Sequence, residues 1–319
     1  MNRSEPPLPS RITVVGAGAL GSLIAGRLSR SAAPVILLNR RSPHLDRIRA
    51  AGLVLVAPDG SGERIDVPIS SDPAAVADAS FVIVAVKTWA TDAALRPLRD
   101  WLAPSAWVVT LQNGLGNDDR IRSVLGPRAK LALGVTALGA ARLEPGVVRA
   151  GGDGPTLFGA PGQPPPATLR TLAACFVAAG MPAAAVGDIE QAVWRKLAVN
   201  AAINGLTALA RVENGAIADD PDLWTAASAI AQEVEAVARA EGHEIGDVER
   251  AVAEVAQATA SNRSSMRQDL EAGGPTEVEA IYGAIVARAA RHGLAVPANQ
   301  TIAAILRARR RQVDEEHDR

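Results

Sequence analysis

The chain has 319 residues, of which 48% are hydrophobic, 21% charged and only 3% aromatic, and its formal net charge is −1. That length suits two domains and that composition a soluble globular protein, while balanced charge and scarce aromatic residues argue against nucleic acid as a partner. A single cysteine, Cys175, rules out an internal disulfide framework and fits a reducing, cytoplasmic compartment, and no apolar run is long enough to span a membrane.

The opening "MNRSEPPLPS" is polar and proline-rich, lacks the apolar core of a signal peptide, and reads as a frayed leader over residues 1–10. From Arg11 a β-rich run (Ile12–Val15) ends in glycines and passes into a helical pattern. "PVILLN" is a second short strand. "FVIVAV" (81–86) and "WVVTLQ" (107–112) are two more, with a helical stretch over 91–102 between them. Strands alternating with helices predict a parallel, doubly wound sheet. Over 130–160 the short β runs "LALGVTALGA", "GVVRAGG" and "PTLFGA" are broken by glycine, which predicts a meander closing the sheet; "GAPGQPPPA" (159–167) reads as a surface loop.

After about residue 188 strand signals vanish, and helical runs are predicted over 189–210, 222–241, 247–260, 276–292 and 298–312. The last run is rich in arginine (Arg307, Arg309, Arg310, Arg311) and reads as a solvated helix end. These alanine-rich helices suit a core and subunit pairing to a homodimer equally well. The four histidines (His44, His243, His292, His317) lie far apart with no accompanying cysteines, so no metal site is expected.

Gly16-Ala17-Gly18-Ala19-Leu20-Gly21 has the G-x-G-x-x-G spacing, placed after a strand and at the start of a helix. The first glycine allows the tight turn, the second lets a pyrophosphate approach the backbone, and the third lets helix and strand pack closely. The expected architecture is therefore α/β: a leader (1–10), a Rossmann-type nucleotide-binding domain (11–187) and an all-helical domain (188–319) for substrate and catalysis. Where an NAD-specific site carries a carboxylate, the second strand ends in Asn39, Arg40 and Arg41. A guanidinium there can clamp a 2′-phosphate, which predicts NADP(H) over NAD(H). Lys87 and Asn113 follow strands of the same sheet, at the carboxyl ends where such sheets bind ligands.

"WRKLAVNAAINGL" (194–206) places Lys196, Asn200 and Asn204 at four-residue steps. On an α-helix each step advances about 40° past a full turn, so the three share one slowly drifting line. An ordinary solvated stripe would mix Glu, Lys and Arg. Here the line is polar but rich in amides, and the rest of the helix is apolar, which suits a buried helix lining a cleft for a small polar ligand.

Five stretches taken together resemble the ketopantoate reductase family over nearly the whole chain: "GAGALG" (16–21), "AVKTW" (85–89), "LQNGLG" (111–116), "WRKLAVNAAINGLTAL" (194–209) and "NRSSMRQDLEAGGPTEVEAI" (262–281). In that family NADPH reduces the ketone of a 2-oxo acid, giving pantoate for coenzyme A synthesis. The resemblance implies that Lys196 is the catalytic proton donor, that Asn200, Asn204 and Asn214 contact substrate, and that Ser265, with Asn262 close by, lies near the substrate carboxylate. It further implies Glu277 at the cofactor–substrate junction with a catalytic part, Lys87 and Asn113 at the nicotinamide side, and Arg40 at the 2′-phosphate. Two departures stand out. The family's usual Asn-Pro-Leu is Asn204-Gly205-Leu206, and its usual asparagine in I-D-x-I-N-G is Tyr282. They leave the choice of 2-oxo acid open. A homologue acting on another 2-oxo or 3-hydroxy acid, and a non-catalytic NADP(H) sensor, are the alternatives. The sensor would have no use for Lys196, Asn200, Asn204, Ser265 and Glu277 together.

Overall fold

Ile12–Val15 form β1, a strand buried at every position, because it lies inside a sheet whose neighbours pair with it on both sides. The structure, a computed structural model, describes residues 11–317, with side chains as far as residue 311. The leader expected at 1–10 lies outside the described residues. The chain divides into two compact units. One runs to Gln112 and resumes over Asn117–Ile189; the other comprises Asn113–Gly116 and everything from Glu190.

The first unit is built on one sheet. Its parallel centre runs β5 (Ile69–Ser70), β2 (Val35–Leu38), β1, β6 (Phe81–Val84), β7 (Trp107–Thr110) and β8 (Lys130–Glu144). β8 turns back antiparallel into β9 (Val147–Gly159), which carries β3 (Leu53–Val56) and then β4 (Gly62–Ile65), while β10 (Ala183–Ala185) also pairs with β9. The chain leaves β1 towards β2 on one side and returns to β6 on the other. The carboxyl ends of β1 and β6 therefore flank the point where strand order reverses, the usual ligand position in such sheets. Among the described residues five α-helices complete the unit: α1 (Ala19–Leu28), α2 (Pro43–Ala51), α3 (Thr91–Leu95), α4 (Asn117–Leu125) and α5 (Ala167–Ala178).

The meander expected over 130–160 is instead a single long hairpin of two continuous strands. Its glycines sit inside the strands. A Cβ on Gly139 would come within 3.0 Å of the Gly151 backbone, and register shifts fall at Thr136/Leu138, Gly139/Ala140 and Arg142/Glu144. Glycine here marks close backbone approach at bulges rather than strand ends. The helix expected over 91–102 shortens to α3 plus a 3-10 turn over Arg96–Leu98, because Pro97 cannot donate into an α-helical ladder.

The second unit is helical: α6 (Ile189–Ala210, entering the unit at Glu190), α7 (Ala216–Asp219), α8 (Pro221–Ala240), α9 (Val248–Ala258), α10 (Ser265–Glu271), α11 (Ala284–Arg291) and α12 (Pro297–His317). α6 is its central element. Trp194, Leu197, Ala198, Val199, Ala201, Ala202, Ile203 and Leu206 are all buried in one cluster with residues of α8, α9, α11 and α12. The helix expected over 276–292 is not uniform: Glu279–Gly283 form a π-helical turn before α11. The arginine-rich end of α12 is not wholly solvated either, since Arg307 makes a bidentate pair with Glu279 at 2.7 Å. No helix among the described residues is long and apolar enough to cross a membrane.

Candidate active site

In the first unit the three loop glycines do three different things. Gly16 takes a φ of +111°, and a Cβ there would approach the Val86 backbone nitrogen to 2.9 Å. A Cβ on Gly21 would run into the Gly16 carbonyl oxygen, so α1 lies directly against the turn. Gly18, the N-cap of α1, is exposed and has no atom within 4 Å of where a Cβ would stand. That open position at a helix N-terminus fits a pyrophosphate, whose charge is favoured by the free N–H groups there. Asn39, after β2, accepts a 3.3 Å hydrogen bond from the Ala17 amide through Oδ1 and so braces the loop. Ala19 and Leu20 open α1, half-buried. Arg40 and Arg41 are exposed, and neither side chain forms an ion pair among the described residues. Free guanidinium groups beside the glycine turn fit a 2′-phosphate.

Lys87 is half-buried just beyond β6, where it caps the short 3-10 turn Thr88–Ala90. The segment that carries it is held by Gln112, which the sequence reading passed over in favour of its neighbour Asn113. Gln112 Nε2 donates to the Val86 carbonyl and to Thr91 Oγ1, each at 2.9 Å.

In the second unit Lys196, Asn200 and Asn204 share one side of α6. Asn204 is buried, and Lys196 and Asn200 are half-buried. Burial pushes the Lys196 ammonium down to about 8, against the upward pull of the nearby Glu277 carboxylate. Glu277 is itself buried, and the Asn113 amide donates to its Oε2 at 3.0 Å. Asn113 thus sits with Glu277 and Lys196 in the second unit. Gly114 is pressed so tightly against the Ala280 carbonyl that no side chain fits, and Leu115 N–H donates to that same carbonyl at 2.9 Å. The Asn200 and Asn204 side chains make no hydrogen bond among the described residues, although their helix is packed nearly all round. Amides left open in such a place are available to a ligand.

The remaining candidates cluster around the far end of α6. Asn214 is buried. Its Nδ2 donates to Thr259 Oγ1 at 2.9 Å and its backbone N–H to the Asn262 carbonyl at 3.0 Å, while its Oδ1 is buried without a partner. Asn262 and Ser265 are exposed. The buried hydroxyl is that of the adjacent Ser264, the N-cap of α10, which accepts from Arg267 N–H at 3.3 Å and from Thr207 Oγ1 at 2.8 Å. An N-cap serine was recoverable from "NRSSMRQ" only by choosing between two adjacent serines.

The two departures noted above meet each other. Gly205 N–H donates to Tyr282 Oη at 2.9 Å, and Tyr282 Oη donates to the Ala201 carbonyl at 2.6 Å. Burial pushes the Tyr282 phenol well above its ordinary range, which keeps it a donor.

The family model described as "Ketopantoate reductase PanE/ApbA" matches residues 12–163, and that described as "Ketopantoate reductase PanE/ApbA C terminal" matches 188–310. The chain belongs to the ketopantoate reductase family. Membership makes it an NADP-dependent oxidoreductase, and the fold is that of the family. The chain is 43% identical to a 2-dehydropantoate 2-reductase of Halobacterium salinarum, over 94% of its own length and 99% of that protein's. A PanE/ApbA family ketopantoate reductase from Ralstonia eutropha superposes with a TM-score of 0.86 at 34% identity, covering 95% of this chain and 99% of that one. D-mandelate dehydrogenase, solved with NADH and anilino(oxo)acetate, superposes with a TM-score of 0.87 at 25% identity over 95% and 99% of the two chains.

Proposed function

We propose that the protein reduces 2-dehydropantoate to pantoate with NADPH, with Lys196 giving the proton. The observation that carries the reading is the half-buried Lys196, its acidity drawn to about 8 beside a buried carboxylate, on a helix face whose two asparagines are unpartnered. Bound NADPH supplies a hydride to the ketone carbon. Negative charge then builds on the ketone oxygen. An ammonium at Lys196 Nζ stabilises that charge and passes its proton to the oxygen, so the ketone becomes a secondary alcohol. A group near 8 is mostly charged at neutral pH yet acid enough to give up its proton. Glu277, oriented by Asn113, keeps the lysine from losing its charge too early. Asn200 and Asn204 bind the carboxylate and hydroxyl of the substrate without adding charge, and Asn214, Asn262 and Ser265 complete the substrate side. Gly16–Gly21, Asn39, Arg40 and Lys87 hold the dinucleotide. A cytoplasmic setting fits the lone cysteine, Cys175, which is free and buried.

The Halobacterium relative, named for this activity, supports the choice of substrate. The test is oxidation of NADPH by the purified protein on addition of 2-dehydropantoate, followed at the absorbance of the reduced nicotinamide. Brisk turnover is expected. A second reading, reduction of a different 2-oxo acid, is favoured by the Gly205–Tyr282 pair and by the likeness to D-mandelate dehydrogenase. It would displace the first if a panel of 2-oxo acids gave a better substrate. Binding of NADPH without turnover of any 2-oxo acid would overturn both.

A further inference from the structure

In an uninterrupted α-helix the N–H of residue 205 bonds to the carbonyl of residue 201. In α6 the Tyr282 hydroxyl takes the first of these groups at 2.9 Å and gives to the second at 2.6 Å. It is stitched into the ladder on the single turn that joins Asn200 to Asn204. Insertion of a side chain into the ladder is one of the few physical causes that bend a helix locally. The arrangement requires both residues. Any side chain at 205 would collide with Tyr282 Oη and with Ile302, whose Cγ2 would lie 2.6 Å from a Cβ. A proline would also lack the N–H that the hydroxyl accepts from. The tyrosine is placed by the π-helical turn Glu279–Gly283, whose upstream neighbour Glu277 faces Lys196 and Asn113. Such turns recur at functional sites because the extra residue re-aims side chains.

The backbone around Asn204 is pinned from other directions too. Its carbonyl accepts from Ser264 Oγ at 3.4 Å, and that hydroxyl accepts in turn from Thr207 Oγ1 at 2.8 Å. Three hydroxyls thus hold this turn and leave the Asn204 amide unbonded.

We propose that Tyr282 is a specificity-determining positioning residue: its hydroxyl, seated between Ala201 and Gly205, sets the relative orientation of Asn200 and Asn204 and so selects which 2-oxo acid fits. The proposal rests on the reading that those two asparagines bind the substrate. Phenylalanine at 282 would keep the ring, which is fully buried, and remove only the bridge. A packing role survives that change and a positioning role does not.

The test compares wild type with Tyr282→Phe on a branched and an unbranched 2-oxo acid. Tyr282→Phe is expected to raise KM for the preferred acid and to alter the ratio of the two kcat/KM values by about tenfold or more, with the affinity for NADPH unchanged. A second measurement does not need the variant to fold. Tyr282 is the sequence's single tyrosine, so growth on 3-fluorotyrosine labels it alone. Its fluorine resonance is expected to move when a 2-oxo acid is added to the NADP+-loaded protein. A folded Tyr282→Phe with an unchanged ratio overturns the proposal and leaves the function standing. If that variant does not fold, an unmoved resonance overturns it in the same way. Wild type that neither binds nor turns over any 2-oxo acid overturns the functional reading, and the proposal with it.

Discussion

The Asn113 side chain donates to the Glu277 carboxylate at 3.0 Å although 164 residues separate them in sequence. The bond fixes the group whose charge opposes the loss of the Lys196 proton. With Lys196 as the proposed proton donor, reduction would need it protonated, so kcat in the reductive direction should fall as pH rises through about 8. Glu277 raises the lysine's pKa, so its removal lowers it. In Glu277→Gln the fall in kcat should move to lower pH, and Asn113→Ala should show a smaller change of shape or position. Steady-state pH profiles of the three proteins decide this. A profile in Glu277→Gln that moved upward would contradict the electrostatic role.

As the proposed proton donor, Lys196 would also link catalysis to stability. Its pKa is lowered from 10.5 to about 8 on folding, so between those values the unfolded chain holds more protons and stability rises with pH. Below about 8 the penalty is fully present, roughly 3 kcal/mol by the linkage relation. Lys196→Met should therefore unfold at higher temperature than wild type at pH 7 while losing on the order of 10²–10⁴ in kcat. Its advantage should shrink as pH rises above 8. Thermal melts at pH 7 and pH 10 would show it, and a variant less stable than wild type at pH 7 would sink the claim.

Much of this was legible from residues alone, for identifiable reasons. The order strand, glycine turn, helix at 12–28 is local, and so is the apolar shell of α6. What escaped depends on partners distant in sequence. "LALGVTALGA" contains glycines that look like strand ends until the opposing strand arrives to explain them. β4, "GERI", is exposed at three of its four positions and has the composition of a loop. Gly205 and Tyr282 stood out one by one as departures, but nothing in a linear reading joins a helix glycine to a tyrosine 77 residues on. Of the two adjacent serines it is Ser264 whose hydroxyl is buried as a cap, which depends on where α10 begins and is not written in the local sequence.

The glycine loop offers a contrast between two similar changes. Gly18→Ala meets nothing within 4 Å, so the variant should fold with a melting temperature close to wild type. On the proposed reading its methyl would stand in the path of the pyrophosphate, and NADPH affinity should drop steeply. Gly21→Ala drives its methyl into the Gly16 carbonyl and should cost stability before it costs binding. Melting curves and NADPH titrations of both variants test the pair together. Equal loss of stability in the two would remove the argument for an open phosphate position.

Arg40 is exposed and free of ion pairs among the described residues, so its replacement should not disturb the fold. Loss of charge-assisted hydrogen bonds to a 2′-phosphate is worth about 1.5–3 kcal/mol. Arg40→Ala should then weaken NADPH by roughly 10- to 100-fold and leave NADH nearly unaffected. Titration of both cofactors against both proteins gives the answer directly. Equal weakening of the two would assign the clamp elsewhere.

His44 should govern the acid limit of the first unit. Gly146 N–H donates to its Nδ1 at 2.9 Å, so that nitrogen is unprotonated and Nε2–H faces Ser22 Oγ at 3.0 Å. The imidazole ties α2 to α1 and to the turn of the β8–β9 hairpin. Burial first, and the charge of Arg142 second, lower its pKa below 6.5. The unfolded chain therefore takes up this proton before the folded one does. Stability is complete above pH 6.5 and falls as pH drops towards the lowered folded value. Protonation would also strip Gly146 of its acceptor, and an unpaired buried N–H costs roughly 1–3 kcal/mol. His44→Gln should be less stable than wild type at pH 7 but lose less on acidification to pH 5. Urea unfolding at the two pH values measures the difference, and parallel losses in both proteins would show that another group sets the acid limit.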